Sequence, residues 1–289
     1  MSGKATALAY GAATVVNAIA LGKGAAFGVN LWTKAEVELT NEPNVITVNI
    51  VSDPKESTLL VEKTVQIVLN KFGLANCFGA RVKTESNIPA ARGLKSSSVA
   101  ANATALSTVA ALGKKLDDLE IIRIGVEAAF KAKVTVTGAF DDACASFFGG
   151  AVITDNLNQK IIRQQKLPDD LLVMFHVPHQ KEYTINSDVE RLKTVKPLVE
   201  LAFELALKGN LWDALTLNGL VYSAASNMNS KIAIDALAAG AVAAGLCGKG
   251  PAVAVVTSNY YVDKVRASLQ KYEGEIITAH FNSEKAKVL

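Results

Sequence analysis

A loop rich in glycine and serine stands directly before a long run of helix-forming residues, in the segment IPAARGLKSSSVAANATALSTVAALG at residues 88–113. Pro89 ends whatever element precedes the loop, and Gly93 permits backbone angles that other residues disfavour. One of the serines at 96–98 is expected to cap a helix that stops at Gly113. The segment therefore predicts a helix whose first turn is presented by a tight loop.

The start of this helix is predicted to bind an anion. The N–H groups of a first helical turn lack partners within the helix, and the positive end of the helix dipole attracts negative charge. Arg92 and Lys95 add positive side chains to the same loop. One hydroxyl is enough for a cap, so the other serines are left for phosphate or magnesium. This pattern favours a nucleoside triphosphate, and the alternative is an ordinary capped surface helix.

The common nucleotide-binding motifs do not account for this loop. The chain contains no GxxxxGK[ST] sequence, and no GxGxxG sequence lies between a strand and a helix. Walker-type and Rossmann-type sites thereby lose their main support. The loop is expected to belong to another class of kinase fold.

The loop PAARGLKSSSVAA resembles the second motif of the GHMP kinases, the superfamily of galactokinase, homoserine kinase, mevalonate kinase and phosphomevalonate kinase, whose usual form is PxxxGLGSSAA. Lys95 stands where these proteins usually have glycine, and the form RGLKSSS resembles the archaeal type of shikimate kinase. The segment LCGKGPAVAVV at 246–256 is similar to the third motif. The segment ATVVNAIALGKGAAFGVNL at 13–31 occupies the place of the first motif.

This resemblance implies an α+β, two-domain GHMP kinase fold with the active site in the cleft between the domains. Residues 1–154 would form the N-terminal ATP-binding domain with the phosphate loop, and residues 155–289 a ferredoxin-like C-terminal domain. The loop would bind ATP through residues that follow one another in the chain, namely Pro89, Ala90, Ala91, Arg92, Gly93, Leu94, Lys95, Ser96, Ser97 and Ser98.

The segment TGAFDDACASFFGG at 137–150 places two adjacent acids among small and apolar residues. A plain turn is one interpretation, since aspartate after glycine is frequent in loops. In mevalonate kinase and its relatives, a GIDN-like segment carries an aspartate near the transferred phosphoryl group, and Asp141 falls on that position. The resemblance implies that Asp141 is the catalytic residue, which either accepts the proton of the substrate hydroxyl or orients that hydroxyl. Asp142, in place of the asparagine, is the second candidate.

A nucleotide substrate implies magnesium, which binds oxygen ligands and neutralises charge on the phosphates. The resemblance supplies a serine, Ser97 or Ser98, and a glutamate on the helix before the aspartate segment, for which Glu127 is the candidate. Glu127 equally fits a solvent-facing acid flanked by Arg123 and Lys131 at helical spacing. Both interpretations stay open at this point.

The resemblance to archaeal shikimate kinases implies transfer of a phosphoryl group from ATP to the 3-hydroxyl of shikimate, giving shikimate 3-phosphate and ADP on the route to chorismate and aromatic amino acids. Besides Asp141, the acceptor needs a basic or amide group for its carboxylate. Asn17, Lys23 and Lys249 are candidates by their location in the first and third motifs. Other acceptors such as homoserine or mevalonate, a GHMP-fold sensor without catalysis, and a structural protein are the alternatives.

Composition agrees with a globular enzyme. The chain has 289 residues, half of them hydrophobic, and a formal net charge of +3. This length allows a sizeable core, and the charge balance argues against nucleic acid as a partner. Three cysteines without CxxC spacing, no leader-like segment and no long apolar run predict a cytoplasmic protein without a membrane partner. Its oligomeric state is left open.

Apolar periodicity predicts strands and helices in both halves. TKAEVELT and NVITVNIV are expected to pair through a turn at 41–44, with ARVKTES as a third strand. Helices are predicted from Leu59 to Phe72 and after Asp117. Beyond a boundary near Asp155, the prediction is helices on antiparallel strands: LLVMFHV, long helices between 189 and 244, PAVAVV, a helix near 262–271 and EIITAHF.

Overall fold

Two β-sheets, each covered by helices, make up the fold in a computed structural model that describes residues 3–90, 92–179 and 188–289. The elements in chain order are β1 (Lys4–Val16), β2 (Lys23–Thr40), β3 (Ile46–Ile50), α1 (Leu59–Lys71), β4 (Gly79–Ser86), α2 (Ser96–Ala111), α3 (Asp118–Lys131), α4 (Phe140–Phe148), β5 (Ala151–Asp155), β6 (Lys160–Gln165), β7 (Leu171–Val177), α5 (Val189–Thr194), α6 (Lys196–Leu207), α7 (Leu211–Ala225), α8 (Lys231–Ala238), β8 (Ala243–Leu246), β9 (Val253–Ser258), α9 (Val262–Leu269), β10 (Glu275–His280) and β11 (Lys287–Val288).

The first sheet has the strand order β11-β1-β2-β4-β3, with β5 paired to β2 and β6 paired to β5. The predicted pairing of TKAEVELT with NVITVNIV is wrong, because β4 lies between β2 and β3. Strand β3 runs parallel to β4, and parallel neighbours need a crossover rather than a tight turn. Helix α1 is that crossover, and its buried face includes Val65 and Val68.

Helix α2 runs through the centre of the first half and contacts both β1 and β2. Its buried face consists largely of small residues such as Ala101, Ala103 and Ala105, which let neighbouring elements approach closely. The predicted helices α1, α2 and α3 are confirmed. Gly73 and Gly113 follow α1 and α2 with φ angles of 68° and 65°, the left-handed conformation in which glycine commonly ends a helix.

The second sheet has the order β10-β7-β9-β8. It is antiparallel, as the sequence pattern predicts for β7, β9 and β10. Helices α5 to α9 belong to the same half of the chain. Aromatic rings connect this half to the first sheet: Trp212 on α7 stacks on Phe281, with ring centroids 5.4 Å apart, and meets Phe27 on β2 edge to face at 5.8 Å.

The end of the chain returns to the first sheet. Strand β11 pairs with β1, and the backbone of Asn282 bonds to those of Gly28 and Gly150. Strand β6, which follows the predicted boundary, also lies in the first sheet. The division at residues 154 and 155 stays a prediction. Among the described residues, no helix is both long and apolar enough to cross a bilayer.

Candidate active site

A cavity of about 740 Å³ is lined by segments that are distant in sequence. Four of them are the turn after β1, the loop before α2, the start of α4 and the turn between β8 and β9. The stretch from β3 into α1 and the stretch after α3 also contribute. A cavity of this size is in the range that holds a small-molecule ligand. Lining residues from these four segments include Asn17, Pro89, Ala90, Arg92, Gly93, Lys95, Ser96, Ser97, Ser98, Asp141, Asp142, Lys249 and Gly250.

The loop before α2 differs from its prediction at the helix cap. Lys95, in the left-handed conformation with φ 62°, is the N-cap residue, and its side chain makes no capping hydrogen bond. The expectation of a serine cap is therefore wrong, because the helix begins at Ser96 and the three serines form its first turn. Their hydroxyls are not used for capping. The first-turn N–H groups and these hydroxyls together border the cavity.

Of the predicted ATP-binding residues that the structure describes, one does not line the cavity. Leu94 is 2% exposed and packs in the core beneath the loop. Ala91 lies outside the described residues. The remaining predicted residues of this loop line the cavity.

The loop packs closely on the turn between β8 and β9, which is the predicted third motif. A Cβ atom at Gly93, whose φ is 87°, would come 2.7 Å from the carbonyl oxygen of Cys247 and 3.0 Å from that of Gly250. The Cys247 thiol donates to the carbonyl oxygen of Gly93 at 3.2 Å, and the N–H of Ala252 donates to that of Arg92 at 3.3 Å. Only glycine allows this approach, so the two motifs form one wall of the cavity.

Helix α4 brings both acids of the aspartate segment into the cavity. The alternative of a plain turn is wrong, since Asp141 and Asp142 lie in the first turn of α4 and are 3% and 4% exposed. The side-chain amide of Asn156 donates to Asp141 Oδ1 at 2.8 Å. The hydroxyl of Thr154 in turn donates to Asn156 Oδ1 at 2.7 Å. Strand β2 passes on the other side, where a Cβ atom at Gly24 would come 2.5 Å from Asp141 Oδ2.

Asp142 faces the loop before α2. Its Oδ2 is 2.9 Å from Lys95 Nζ, and the two side chains are 5% and 15% exposed. Its Oδ1 is buried and has no hydrogen-bond partner within the described part of the chain. The ammonium of Lys95 therefore joins the start of α2 to the start of α4.

Burial and neighbouring charges shift the pKa values of these groups. Burial, with Asp142 beside it, raises the pKa of Asp141 to about 7, against the lowering effects of Lys95 and Asn156. Burial also raises the pKa of Asp142, although Lys95 acts in the opposite direction. Burial lowers the pKa of Lys95, but the charges of Asp142 and Asp141 outweigh it and leave that pKa raised. Lys95 is therefore charged at neutral pH, whereas Asp141 titrates there.

The predicted acceptor-binding residues separate into two groups. Asn17 and Lys249 line the cavity. The amide of Asn17 is engaged by the protein, since Nδ2 donates to the carbonyl oxygen of Gly248 at 2.8 Å and Oδ1 accepts from the N–H of Ile19 at 3.0 Å. Lys23 is exposed and lies 5.9 Å from the centre of the Phe203 ring, outside the residues that line the cavity.

The structure does not bring Glu127 to the cavity. Its side chain is 52% exposed and forms an ion pair of 2.7 Å with Lys131, one turn later on α3. It lies in a shallow surface depression with Arg123, on the side of α3 that faces solvent. Of the two interpretations of Glu127, this placement agrees with the solvent-facing acid.

Sequence reasoning missed several residues that shape the site. Asn156 follows β5 in a polar turn, and nothing in VITDNLNQK distinguishes it from the neighbouring asparagine at 158. Asn218 and Tyr222 lie on α7. Asn218 Oδ1 accepts from the N–H of Asn17 at 3.1 Å, and the Tyr222 hydroxyl donates to the carbonyl oxygen of Asn17 at 3.2 Å. Asn218 is one of several polar residues on α7, so the local sequence gives little sign of this connection.

Sequence comparisons relate this chain to known kinases. The model of the family described as "GHMP kinases N terminal domain" matches residues 59–150. A shikimate kinase from Methanosarcina mazei is 44% identical over 282 residues, which cover 97% of this chain and 95% of that protein. A shikimate kinase from Methanothrix thermoacetophila is 43% identical over 289 residues, which cover 100% of this chain and 96% of that protein.

Solved structures share the fold at low sequence identity. Homoserine kinase from Cytophaga hutchinsonii has a TM-score of 0.78 at 17% identity, covering 100% of this chain and 98% of that one. MDDEF in complex with MVAPP, AMPPCP and magnesium has a TM-score of 0.78 at 14% identity, covering 100% of this chain and 99% of that one. These two likenesses concern the fold and confirm the predicted α+β architecture. The family model and the full-length sequence matches establish that the chain belongs to the GHMP kinase superfamily, in the family of the archaeal shikimate kinases.

Proposed function

We propose that this protein is an ATP-dependent kinase that phosphorylates the 3-hydroxyl of shikimate. The observation that carries the proposal is the cavity in which the first turn of α2 and a buried, titrating carboxyl group face the same space. The acceptor is taken from the shikimate kinases that match the chain over nearly its whole length.

The phosphates of ATP would lie at the first turn of α2. The N–H groups of Ser96, Ser97 and Ser98 lie at the N-terminal end of α2, where the helix dipole is positive. Arg92 and Lys95 line the cavity beside them. Lys95 takes the capping position, and its side chain makes no capping hydrogen bond to these donors.

The hydroxyl of Ser97 fits magnesium, because it is an oxygen donor that borders the phosphate site and caps no helix. Within the described ranges, no three His, Cys, Asp or Glu side chains cluster closely enough to hold a metal ion. A magnesium ion would therefore depend on phosphate oxygens and water for most of its ligands, as is usual at nucleotide sites. When bound, magnesium neutralises charge on the phosphates.

Asp141 would accept the proton of the acceptor hydroxyl. The 3-oxygen of shikimate forms a bond to the γ-phosphorus, the bond from that phosphorus to the β,γ-bridging oxygen breaks, and ADP leaves. The hydroxyl proton passes to the carboxylate of Asp141. With a pKa of about 7, this group is ionised often enough to accept a proton and basic enough to hold it. Asn156 fixes one oxygen of the carboxylate and so orients the other.

The acceptor carboxylate requires a positive or amide partner on the cavity wall. Lys249 lies on the turn between β8 and β9 and lines the cavity, and this placement supports it as that partner. Asn17 would act chiefly on the shape of the wall, because both ends of its amide contact protein atoms. The cavity would then lie between an N-terminal unit at 1–154 and a C-terminal unit at 155–289.

The test is release of ADP from MgATP in the presence of shikimate, homoserine, mevalonate or no acceptor. Wild type should turn over with shikimate and give shikimate 3-phosphate, identified by mass and by its phosphorus resonance. Asp141→Asn should lower kcat by about 100-fold or more, since general-base assistance contributes about 10²- to 10⁴-fold. Asp263→Asn, at an exposed acid outside the cavity, is the matched control and should leave kcat unchanged.

Other outcomes separate the alternatives. Turnover with homoserine or mevalonate in place of shikimate would keep the mechanism and replace the acceptor. Binding of MgATP without turnover of any acceptor would favour a sensor. Failure to bind MgATP would overturn the nucleotide site itself.

A further inference from the structure

A buried ion pair connects the two segments that carry the proposed chemistry. Lys95 Nζ and Asp142 Oδ2 are 2.9 Å apart, and their side chains are 15% and 5% exposed. By contrast, the Lys71–Glu120 pair, at 2.8 Å, has side chains that are 38% and 37% exposed. Removing two charges from water is costly, and their mutual attraction often fails to compensate. Stability alone is therefore a weak reason for a pair in this position.

The pair is only partly satisfied by the protein. Asp142 Oδ1 is buried and finds no hydrogen-bond partner in the ranges that the structure describes. Both side chains line the cavity. A pair that served only to hold two helices together would be expected to use all its oxygens in protein contacts. The Oδ1 atom without a partner indicates that the pair acts together with a ligand that enters the cavity.

The turn between β8 and β9 is shaped around the ammonium group of Lys95. A Cβ atom at Gly248 would come 2.6 Å from Lys95 Nζ and 3.2 Å from its Cε. The Lys95 side chain thus runs from the start of α2 to the start of α4 through a gap that a glycine leaves open. Its position is defined by three segments, all of which border the cavity.

We propose that Asp142 is a positioning residue that fixes the ammonium of Lys95 where it contacts the phosphoryl group in transfer, so that the two side chains act as a unit. This inference rests on the proposed function, because it needs a phosphoryl group at the start of α2. A lysine side chain is long and flexible, and an ammonium held in advance stabilises developing charge without having to be ordered during the reaction. Asp142 holds the ammonium of Lys95 in place through its Oδ2 atom.

The pair is suited to a double-mutant cycle. Lys95 has a φ of 62°, which glycine adopts without strain, so Lys95→Gly removes the side chain and leaves the backbone intact. Asp142→Asn keeps the shape and removes the charge. The cycle compares wild type, the two single variants and K95G/D142N. For each, kcat with shikimate, the Kd of a nonhydrolysable ATP analogue with magnesium, and Tm are measured.

The expected pattern is specific to a coupled pair. Asp142→Asn should lower kcat by about 10- to 100-fold, because one preorganised charged donor contributes about that much. It should not weaken binding of the analogue, since a negative charge near the phosphates has been removed. Lys95→Gly should lower kcat and weaken the analogue by about tenfold or more, because it leaves the Asp142 carboxylate uncompensated beside the phosphates.

The double variant decides the question. K95G/D142N should bind the analogue more tightly than Lys95→Gly does, and its kcat should be no lower than that of Lys95→Gly. If the two kcat losses multiply and the analogue is bound no better than by Lys95→Gly, the two residues act independently and the inference is wrong. Matched variants of the exposed pair, Lys71→Met and Glu120→Gln, should leave kcat and Kd unchanged.

Failure of the proposed function would be visible separately. If wild type does not phosphorylate shikimate, kcat is measured with whichever alcohol it accepts. If it accepts none, recovery of analogue binding in the double variant supports the pair, and the absence of recovery overturns it. Tm of each variant identifies a loss of folding, which the analogue titration then confirms or excludes.

Discussion

Burial, hydrogen bonding and neighbouring charges all act on the carboxyl group of Asp141. Its carboxyl group is 3% exposed, accepts a hydrogen bond from Asn156 and lies next to Asp142 in the first turn of α4. Burial, the largest effect, raises its pKa to about 7. The charges of Asp142 and Lys95 act on it, and the titratable side chains of Cys144 and Tyr222, both neutral near pH 7, lie within range of its charge.

The first prediction concerns the pH dependence of kcat. Asp141 accepts a proton only when ionised, so kcat should fall as pH drops through about 7. The hydrogen bond from Asn156 lowers the pKa of Asp141, and Asn156→Ala should therefore raise it. We expect the acid limb of the profile to move to higher pH by roughly one unit, since a hydrogen bond to a charged group contributes about 1.5 kcal/mol. Asn158→Ala, at an exposed asparagine nearby, should leave the limb in place. An unmoved limb in Asn156→Ala would contradict the assignment.

The second prediction concerns stability. The pKa of Asp141 is raised on folding, so the folded protein holds a proton that the unfolded chain releases between about pH 4 and 7. This contribution to stability is complete below the unfolded pKa and is lost as pH rises through about 7. Asp141→Asn carries no such penalty. At pH 8 the variant should melt about 5 °C above wild type, and the gap should close toward pH 4. Equal Tm values at pH 8 would show that the buried charge is tolerated.

At the scale of elements, the site depends on close approaches that only certain strands and turns allow. Gly24 on β2 and Gly93 before α2 each leave space that a side chain would fill. Helix α4 starts at Phe140, after Ala139 in the left-handed conformation, and this start directs Asp141 and Asp142 toward the cavity. Strand and helix starts thus position the reacting groups.

Gly24→Ala tests this positioning. The new Cβ atom would come 2.5 Å from Asp141 Oδ2 and 2.9 Å from its Cγ, so the carboxylate must shift. A displacement of about 1 Å at a reacting group can cost roughly 100-fold in rate, and we expect kcat to fall by about that factor. The KM for ATP should change little, because the loop before α2 is not touched. Gly125→Ala on α3, outside the cavity, is the control for a glycine substitution. A normal kcat for Gly24→Ala would contradict the tight approach.

At the scale of the whole molecule, the two halves are joined by buried polar contacts as well as by aromatic packing. The Tyr222 hydroxyl on α7 accepts from the N–H of Ala20 and donates to the carbonyl oxygen of Asn17, each at 3.2 Å. The turn after β1 is thereby attached to the second half. Because this turn borders the cavity, the site depends on the packing of the two halves.

Tyr222→Phe should destabilise the protein by leaving two buried backbone groups without their partner. The loss of a buried hydrogen-bond partner costs about 1–3 kcal/mol, and we expect the free energy of unfolding in urea to fall by that amount. Tyr260→Phe, at a side chain that is 86% exposed, should change it by less than about 0.5 kcal/mol. A neutral Tyr222→Phe would mean that water replaces the hydroxyl in these contacts.

Local sequence determined much of this protein. The glycine- and serine-rich loop, the helix that follows it and the antiparallel strands of the second half are readable because turn chemistry and apolar periodicity act over a few residues. The superfamily was readable from the resemblance of three motifs to those of the GHMP kinases, and glycines in these motifs allow the close approaches of the cavity wall. The α+β architecture and the family are confirmed, whereas the site residues and the domain boundary stay predictions.

Only the tertiary structure decided which distant residues meet. The insertion of β4 between β2 and β3, the contact of Asn156 with Asp141, and the ion pair between Lys95 and Asp142 join residues whose spacing carries no period. Glu127 and Lys23 carry suitable chemistry but project away from the cavity, and local pattern does not distinguish them from residues that face it. The reason is physical, because the pKa of a buried group and the group that contacts it both depend on packing between segments far apart in the chain.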